Sequence, residues 1–202
     1  MKLYYSPGAC SLAPHIVARE AGIDLELQKV DTKTRTITTE GDYLAVNPRG
    51  YVPALQLDDG AILTEVSALL QYLGDLAPGS GMVPEAGTME RYRLLEWIGY
   101  IATEIHKSYS PLWYPDTPEA TRESAKGYLK KRYALVEQSL AGREYLLGDT
   151  FSAADAYLYT VTNWSRVAKL DLSGFPNLLA FQKRVAARPA VQAALKAEGL
   201  LK

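Results

Sequence analysis

The feature that most constrains the fold is a strand, a turn, a helix and a second strand within the first thirty residues. Lys2 to Tyr5 is an apolar run typical of a strand, and the turn Ser6-Pro7-Gly8-Ala9-Cys10-Ser11 follows it. A helical pattern then runs to Ala21-Gly22, and Leu25 to Val30 is predicted to be the second strand. Two strands joined by a helix over this length form a βαβ unit, so the two strands should be parallel.

The only cysteine, Cys10, lies where the first strand has ended and the first helix begins. The unpaired N–H groups and the dipole of a helix favour negative charge at its start. The thiol is therefore expected to ionise more readily than a free thiol. The alternative is a small buried cysteine, which is the ordinary environment of a lone cysteine. His15, one turn into the helix, is interpreted as a packed residue rather than a base.

The next segment is predicted to contain a loop, a short helical turn and a β-hairpin. Thr32 to Thr39 is predicted to be the loop, and Tyr43 to Val46 the helical turn. Val52 to Leu57 and Ala61 to Leu63 are predicted strands, and Asp58-Asp59-Gly60 between them is typical of a hairpin turn. This part of the chain therefore predicts an α/β domain.

Pro53 lies near the start of the third predicted strand. Proline cannot donate to a sheet ladder, so this strand is expected at an edge of the sheet or next to a binding site. An open edge would offer the backbone of Val52 to an extended, peptide-like ligand. After the hairpin, Thr64 is expected to cap a helix whose positive end favours Glu65.

The chain changes character after a linker rich in glycine and proline, residues 78–87. Thr88 to about Ser110 is predicted to be one long helix that Ser110-Pro111 ends, and Pro118 to about Leu140 the next. Ser152 and Asp155 have the spacing of a capping box, so Asp155 is interpreted as a helix cap and not as a catalytic acid. The predicted domains are residues 1–77 and an all-helical domain, residues 88–202.

The long helix carries a stripe of small or polar residues beside its apolar face. Gly99, Thr103, His106 and Ser110 follow one another at helical spacing. Such a stripe can line a groove rather than a core.

Composition excludes several classes of protein. The 202 residues carry a net charge of −1, so no basic surface indicates nucleic acid or an anionic membrane as partner. One cysteine and two histidines without paired spacing predict no metal site, and no phosphate-binding glycine loop is present. No apolar run approaches the length of a membrane span, and no secretory signal precedes the first strand. A cytoplasmic protein is expected.

Five motifs in register resemble those of the bacterial beta class of glutathione transferases, over the whole chain. They are Ser-Pro-Gly-Ala-Cys-Ser, Asn-Pro-Arg-Gly-Tyr-Val-Pro-Ala-Leu, Leu-Thr-Glu, Glu-Ile-His-Lys and Phe-Ser-Ala-Ala-Asp-Ala-Tyr. The resemblance implies a thioredoxin-like domain, a helical bundle domain, a twofold homodimer and glutathione as cosubstrate. It also implies that the peptide bond before Pro53 is cis.

The resemblance assigns site residues one at a time. Cys10 and His106 would act on the glutathione sulfur, with the backbone of Ser11 as a further donor. The glutathione contacts would be Cys10, Arg35, Val52, Pro53, Glu65, Val66, Thr103, Glu104 and His106. Val66 stands where the family often has serine or glycine and offers only its N–H, and Gly99 lacks the asparagine that the class extends across its dimer interface. The electrophile pocket would lie between the domains, lined by Tyr5, Tyr109, Trp113, Tyr114 and Trp164.

The activity expected is conjugation of the glutathione thiolate to small hydrophobic electrophiles, with a possible mixed disulfide at Cys10. The first alternative is a monothiol enzyme that reduces disulfides or peroxides with glutathione, since no second cysteine forms a Cys-x-x-Cys pair. The second alternative is a non-catalytic carrier of apolar ligands, which the residues Val66 and Gly99 favour.

Overall fold

The computed structural model describes residues 1–38 and 41–201, which form two compact units. The first unit contains Met1–Val83 together with Ala187–Lys202, and the second contains Pro84–Ala186. In the described part of the chain, no helix is both long and apolar enough to cross a membrane.

The first unit is built on a five-stranded mixed sheet of order β3-β2-β1-β4-β5. Its strands are β1 (Lys2–Tyr5), β2 (Glu26–Asp31), β3 (Thr36–Ile37), β4 (Ala54–Gln56) and β5 (Ile62–Thr64). The pairing of β1 with β2 is parallel, as the βαβ prediction requires, whereas β4 pairs antiparallel with both β1 and β5. The βαβ unit and the β-hairpin are therefore both confirmed.

Helices α1 (Leu12–Glu20) and α2 (Val66–Asp75) pack against each other in this unit. Their apolar sides and those of β1 and β4 supply fully buried side chains, among them Leu3, Ile16, Leu55, Leu69 and Leu73. A βαβ unit followed by an antiparallel hairpin and a helix is the thioredoxin-like arrangement that the resemblance implies.

Two local predictions in this unit need correction. The predicted loop Thr32 to Thr39 contains the short strand β3, although its last residue lies outside the described residues. Thr64 does not cap α2, because it is the last residue of β5; Glu65 occupies the N-cap position with φ 72°. The helical turn was placed correctly, since Tyr43–Ala45 forms a 3-10 turn whose cap, Asp42, accepts from the Leu44 N–H at 2.9 Å.

The C-terminal helix does not belong to the helical domain in which it was predicted to lie. Helix α8 (Pro189–Ala197) packs on α1, so residues 187–202 belong to the sheet-containing unit rather than to the helical one. Arg188 clamps Glu20 on α1 with two hydrogen bonds of 2.6 and 2.9 Å. The sequence of an amphipathic helix predicts that one of its faces is buried, but it does not predict which element packs against that face.

The second unit is mainly helical, with two departures from regular α-helix between α3 and α4. It contains α3 (Met89–Tyr100), a π-helical segment (Ile101–His106), a 3-10 turn (Lys107–Tyr109) and α4 (Ser110–Trp113), followed by α5 (Glu119–Ser139), α6 (Ala153–Val167) and α7 (Pro176–Ala186). The predicted break at Ser110-Pro111 is wrong. Pro111 lies in the first turn of α4, where a missing N–H costs no helical hydrogen bond, so the chain stays helical to Trp113.

The segment predicted to be a linker is partly packed, and this gives a first testable prediction. A Cβ added to Gly74 on α2 would lie 2.5 and 2.6 Å from the two methyl groups of Val83. We expect Gly74→Ala to lower the free energy of unfolding by about 1–3 kcal/mol, the usual cost of overpacking. Urea denaturation measures it, and adding Val83→Ala should recover most of the loss. Full stability of Gly74→Ala alone would contradict this packing.

Candidate functional site

The loop that carries Cys10 is fixed by hydrogen bonds from both of its sides. The Ser11 hydroxyl accepts from the Ser6 N–H and donates to the Ser6 carbonyl, both at 3.2 Å. Gly8, with φ 70°, donates its N–H to Glu198 Oε2 at 2.9 Å. Cys10 is thus presented by a turn directly before α1. The residue as a whole is partly exposed, but its Sγ donates to the carbonyl of the buried Val52 at 3.2 Å.

The Cys10 thiol is harder to ionise than an ordinary thiol, which contradicts the sequence-based expectation. Burial raises its pKa to about 12, and the nearby Glu65 carboxylate adds to the increase. The backbone N–H groups of Cys10 and Ser11 act in the opposite direction but do not outweigh burial. At neutral pH the side chain is therefore a protonated thiol, a hydrogen-bond donor rather than a thiolate nucleophile.

His15 and Glu198 form a buried network behind this loop. His15 Nδ1 lies 2.9 Å from Glu198 Oε1, and the Arg19 Nε–H donates to His15 Nε2 at 3.1 Å. Arg19 can only donate, so His15 carries its proton on Nδ1 and donates it to Glu198. The interpretation of His15 as a packed residue is confirmed, whereas Glu198 had no signal in the sequence.

The Val52 N–H is available for a hydrogen bond to a ligand, but for a different reason from the one predicted. The peptide bond between Val52 and Pro53 is cis, as the resemblance implies. However, β4 lies between β1 and β5, so it is not an edge strand. Pairing with β1 begins only at Ala54, and in the described part of the chain the Val52 N–H has no hydrogen-bond partner.

Charged side chains flank this backbone segment. Glu65 has a largely exposed carboxylate that accepts from Arg49 Nη1 at 3.0 Å. The side chain of Arg35, itself at φ 60°, passes over Gly50, where an added Cβ would lie 3.2 Å from its Nε. Val66 is the first residue of α2, so its N–H has no partner within the helix. Arg49 was missed by the sequence analysis, although it lies inside one of the quoted motifs.

The second unit places His106 within a cluster of aromatic rings. His106 Nδ1 lies 2.6 Å from the Tyr157 hydroxyl, and the imidazole ring is 4.8 Å from the Trp164 ring, edge to face. Burial, with a smaller effect from Lys107, lowers the pKa of His106 to about 4. The imidazole is therefore neutral at physiological pH.

Three of the five aromatic residues predicted to line a pocket belong to this cluster. Tyr109 stacks on Trp113, and both contact Trp164 edge to face at 5.5 and 5.9 Å. Tyr109 is fully buried, whereas Trp113 is 42% exposed. The other two residues are elsewhere: Tyr5 is buried in the first unit near His15, and Tyr114 is exposed without a ring contact in the described residues.

Two other predicted glutathione contacts, Thr103 and Glu104, lie in the same π-helical segment as His106. The Thr103 hydroxyl is turned back to the Gly99 carbonyl at 3.0 Å. Glu104 Oε2 accepts from the Tyr128 hydroxyl at 2.6 Å and pairs with Arg132 Nε at 2.8 Å. The Glu104 carboxylate is thus occupied within the helical unit, and we do not retain it as a glutathione contact.

The described residues include no group of three or more His, Cys, Asp or Glu side chains that could hold a metal ion.

Comparison with known proteins assigns both halves of the chain. Residues 8–76 match the glutathione S-transferase N-terminal domain, and residues 100–189 match the glutathione S-transferase C-terminal domain. Glutathione S-transferase GstA of Escherichia coli O157:H7 is 47% identical over 200 residues, which cover 99% of this chain and 100% of that protein.

Two solved structures are similar over the full length. A sphingomonad glutathione S-transferase complexed with glutathione has a TM-score of 0.95 at 46% identity, with complete coverage of both chains. The beta-class glutathione S-transferase of Sphingomonas chungbukensis has a TM-score of 0.96 at 44% identity, again covering both chains completely. These similarities support a transferase rather than a reductase or a carrier. The chain belongs to the glutathione S-transferase family, as its resemblance to the bacterial beta class predicted.

Proposed function

We propose that this glutathione transferase binds glutathione along the Val52 segment and transfers its sulfur to small hydrophobic electrophiles. The observation that carries the proposal is the unpaired N–H of Val52 beside the protonated thiol of Cys10. A peptide ligand can add to such a segment as an extra strand, with the backbone groups of Val52 pairing its cysteinyl unit. Pro53 shapes this segment through its cis peptide bond.

Charged groups beside the Val52 segment match the charges at the two ends of glutathione. The exposed Glu65 carboxylate suits the γ-glutamyl ammonium, and the free N–H of Val66 at the helix start suits the neighbouring carboxylate. Arg35 suits the glycyl carboxylate. Arg49 pairs with Glu65, so the ligand ammonium would compete with its guanidinium for this carboxylate.

The catalytic task is to keep the glutathione sulfur as a thiolate while it attacks the electrophile. When the ligand N–H takes the Val52 carbonyl, the Cys10 S–H becomes free to donate to the glutathione sulfur. The family resemblance assigns His106, which is neutral at physiological pH, as a second donor, with Thr103 on the same π-helical segment. The sulfur forms a bond to the electrophilic carbon as the leaving group departs, and the former thiol proton goes to solvent.

The aromatic cluster of Tyr109, Trp113 and Trp164 offers the apolar surface for the electrophile. Trp113 provides the accessible part, because it is 42% exposed while Tyr109 is fully buried. Tyr5, in the first unit, and Tyr114, which is exposed, stay proposed lining residues on the family resemblance alone.

We also propose a homodimer and a cytoplasmic location. Met89 and Tyr92 lie one turn apart on α3 and are 64% and 57% exposed, which supports an interface there. A Cβ on Gly99 would contact nothing, so the asparagine of the class is absent without any steric cause. The cytoplasmic location is supported by the requirement for reduced glutathione and by the single unpaired cysteine.

Isothermal titration of reduced glutathione into the reduced protein tests the binding site. We expect a dissociation constant between about 1 μM and 1 mM, the usual range for enzyme substrates. Glu65→Gln should weaken binding about tenfold, because a charge-assisted hydrogen bond to the ammonium is lost. The matched control Glu26→Gln removes an exposed carboxylate that pairs with Lys2 and should leave binding unchanged.

Assays of Cys10→Ala test the chemistry. Conjugation to a chloronitrobenzene should largely survive, because His106 and backbone donors remain. Exchange with oxidised glutathione should be slow in the wild type, because the Cys10 thiol is protonated, and absent in the variant. Loss of both activities in Cys10→Ala would favour a covalent monothiol enzyme. Absence of glutathione binding to the unmodified protein would favour a carrier of apolar ligands.

A further inference from the structure

A short hydrogen bond joins His106 to Tyr157 beside the aromatic cluster. The two residues are 51 positions apart, and the His106 Nδ1 to Tyr157 hydroxyl distance is 2.6 Å. The rings also meet edge to face at 5.8 Å, and Tyr157 is 2% exposed. The imidazole is therefore held at one nitrogen by a buried hydroxyl and packed on one side by Trp164.

A neutral imidazole has one N–H, and the partner of one nitrogen decides which nitrogen carries the proton. A phenol hydroxyl can donate to Nδ1, which places the proton on Nε2. It can also accept from Nδ1–H, which leaves Nε2 with a lone pair. The first tautomer makes His106 a donor through Nε2, and the second makes it a base through the same atom.

We propose that Tyr157 is a positioning residue whose hydroxyl donates a hydrogen bond to His106 Nδ1. This bond keeps the proton of the neutral imidazole on Nε2. The inference rests on the proposed function, in which His106 donates a hydrogen bond to the glutathione sulfur. An anionic sulfur needs donors, and only this tautomer supplies one at the nitrogen opposite to Tyr157.

Two further observations favour the donor over the base. The pKa of His106, lowered to about 4 by burial, makes it a weak acceptor for a thiol proton at neutral pH. The edge-to-face contacts with Tyr157 and Trp164 fix the ring plane, so Nε2 keeps one direction. A donor with a fixed direction stabilises charge without reorganisation during the reaction.

Nitrogen-15 NMR of the imidazole rings tests the tautomer directly, since the chain has only two histidines. His15 serves as an internal reference of the opposite kind, because Arg19 donates to its Nε2 and its proton lies on Nδ1. We expect the two imidazoles to carry their protons on opposite nitrogens, Nδ1 in His15 and Nε2 in His106. A His106 spectrum with the proton on Nδ1 would overturn the inference.

Tyr157→Phe removes the hydroxyl and keeps the ring. We expect its His106 to become a mixture of tautomers. The kcat should fall about tenfold, the lower end of the cost of losing a supporting hydrogen bond, while the KM for glutathione changes less than twofold. Tyr133→Phe is the matched control, because it deletes a buried hydroxyl that contacts Tyr109 at 3.0 Å. It should leave the His106 spectrum unchanged.

Variants of His106 separate the inference from the proposed function. The amide nitrogen of His106→Gln can replace the Nε2 donor and has no tautomers, so adding Tyr157→Phe to it should have no further effect on kcat. If His106→Ala keeps full activity, the proposed role of His106 at the sulfur fails. If His106→Ala loses activity while Tyr157→Phe, shown to be folded by circular dichroism, keeps both tautomer and kcat, only the role of Tyr157 fails.

Discussion

Asp155→Ala should lower the melting temperature by about 6–20 °C, one of the two largest effects expected for this chain. The Asp155 carboxylate is fully buried and accepts three hydrogen bonds: from the Leu146 N–H at 2.8 Å, the Ser152 N–H at 2.9 Å and the Ser152 hydroxyl at 2.7 Å. Alanine leaves these buried donors without an acceptor, at a cost of about 3–5 kcal/mol in free energy of unfolding. A protein of this size loses about 2–4 °C per kcal/mol.

The experiment compares thermal melts followed by circular dichroism at pH 8. Burial raises the pKa of Asp155 to about 6, so the wild-type residue is ionised at that pH. Asp149→Ala is the matched control, because Asp149 is an exposed acid a few residues earlier in the chain, and its melt should match that of the wild type. Asp155→Asn should fall between wild type and alanine, because the amide keeps one acceptor oxygen. A melt of Asp155→Ala within 2 °C of wild type would contradict the structural role.

The capping box is also an example of what local sequence reasoning can predict. The Ser152–Asp155 spacing indicated both the start of α6 and a structural role for the acid, and the geometry agrees. The hairpin at Asp58-Asp59-Gly60 and the βαβ unit were also predicted correctly from local sequence. In each of these elements the decisive interactions join residues that are close in sequence, or follow from the length of the connection.

The failures concern partners that are distant in sequence. Glu198 reaches His15 across 183 positions, and nothing in the C-terminal segment indicates that α8 packs on α1. Tyr157 ends one of the quoted motifs but received no role of its own, because its partner His106 is on another element. The π-helical segment was also missed, since it changes the turn beneath a stripe that has ordinary helical spacing in the sequence.

Cys10 shows the same limit for electrostatics. Its place before a helix was visible in the sequence, and the helix start does lower its pKa through backbone N–H groups. The degree of burial was not visible, because it depends on residues such as Val52 that the fold brings to the thiol. Burial has the larger effect on the pKa, so the predicted direction was wrong.

Alkylation of Cys10 in the ligand-free protein should consequently be slow at neutral pH and keep accelerating at high pH. With a pKa of about 12, against 9.0 for an ordinary thiol, the fraction of thiolate at pH 7 is lower by about three orders of magnitude. Iodoacetamide reacts with the thiolate, so its rate should rise about tenfold per pH unit from pH 7 to pH 10. Intact mass reports Cys10 alone, since it is the only cysteine.

The slope of this rate profile separates ionisation from access. A thiol that is merely shielded would react slowly at every pH, and its alkylation rate would level off near pH 9. The rate for the same chain unfolded in guanidinium should also level off near pH 9. A profile that levels off below pH 8 would reveal a thiolate stabilised by the helix start and would restore Cys10 as a nucleophile. The steadily rising profile instead fits a cysteine that acts as a protonated donor to the glutathione sulfur. In that role the family's conjugation chemistry requires no covalent step at Cys10, and the burial of the thiol becomes an advantage, because it keeps the donated proton in place.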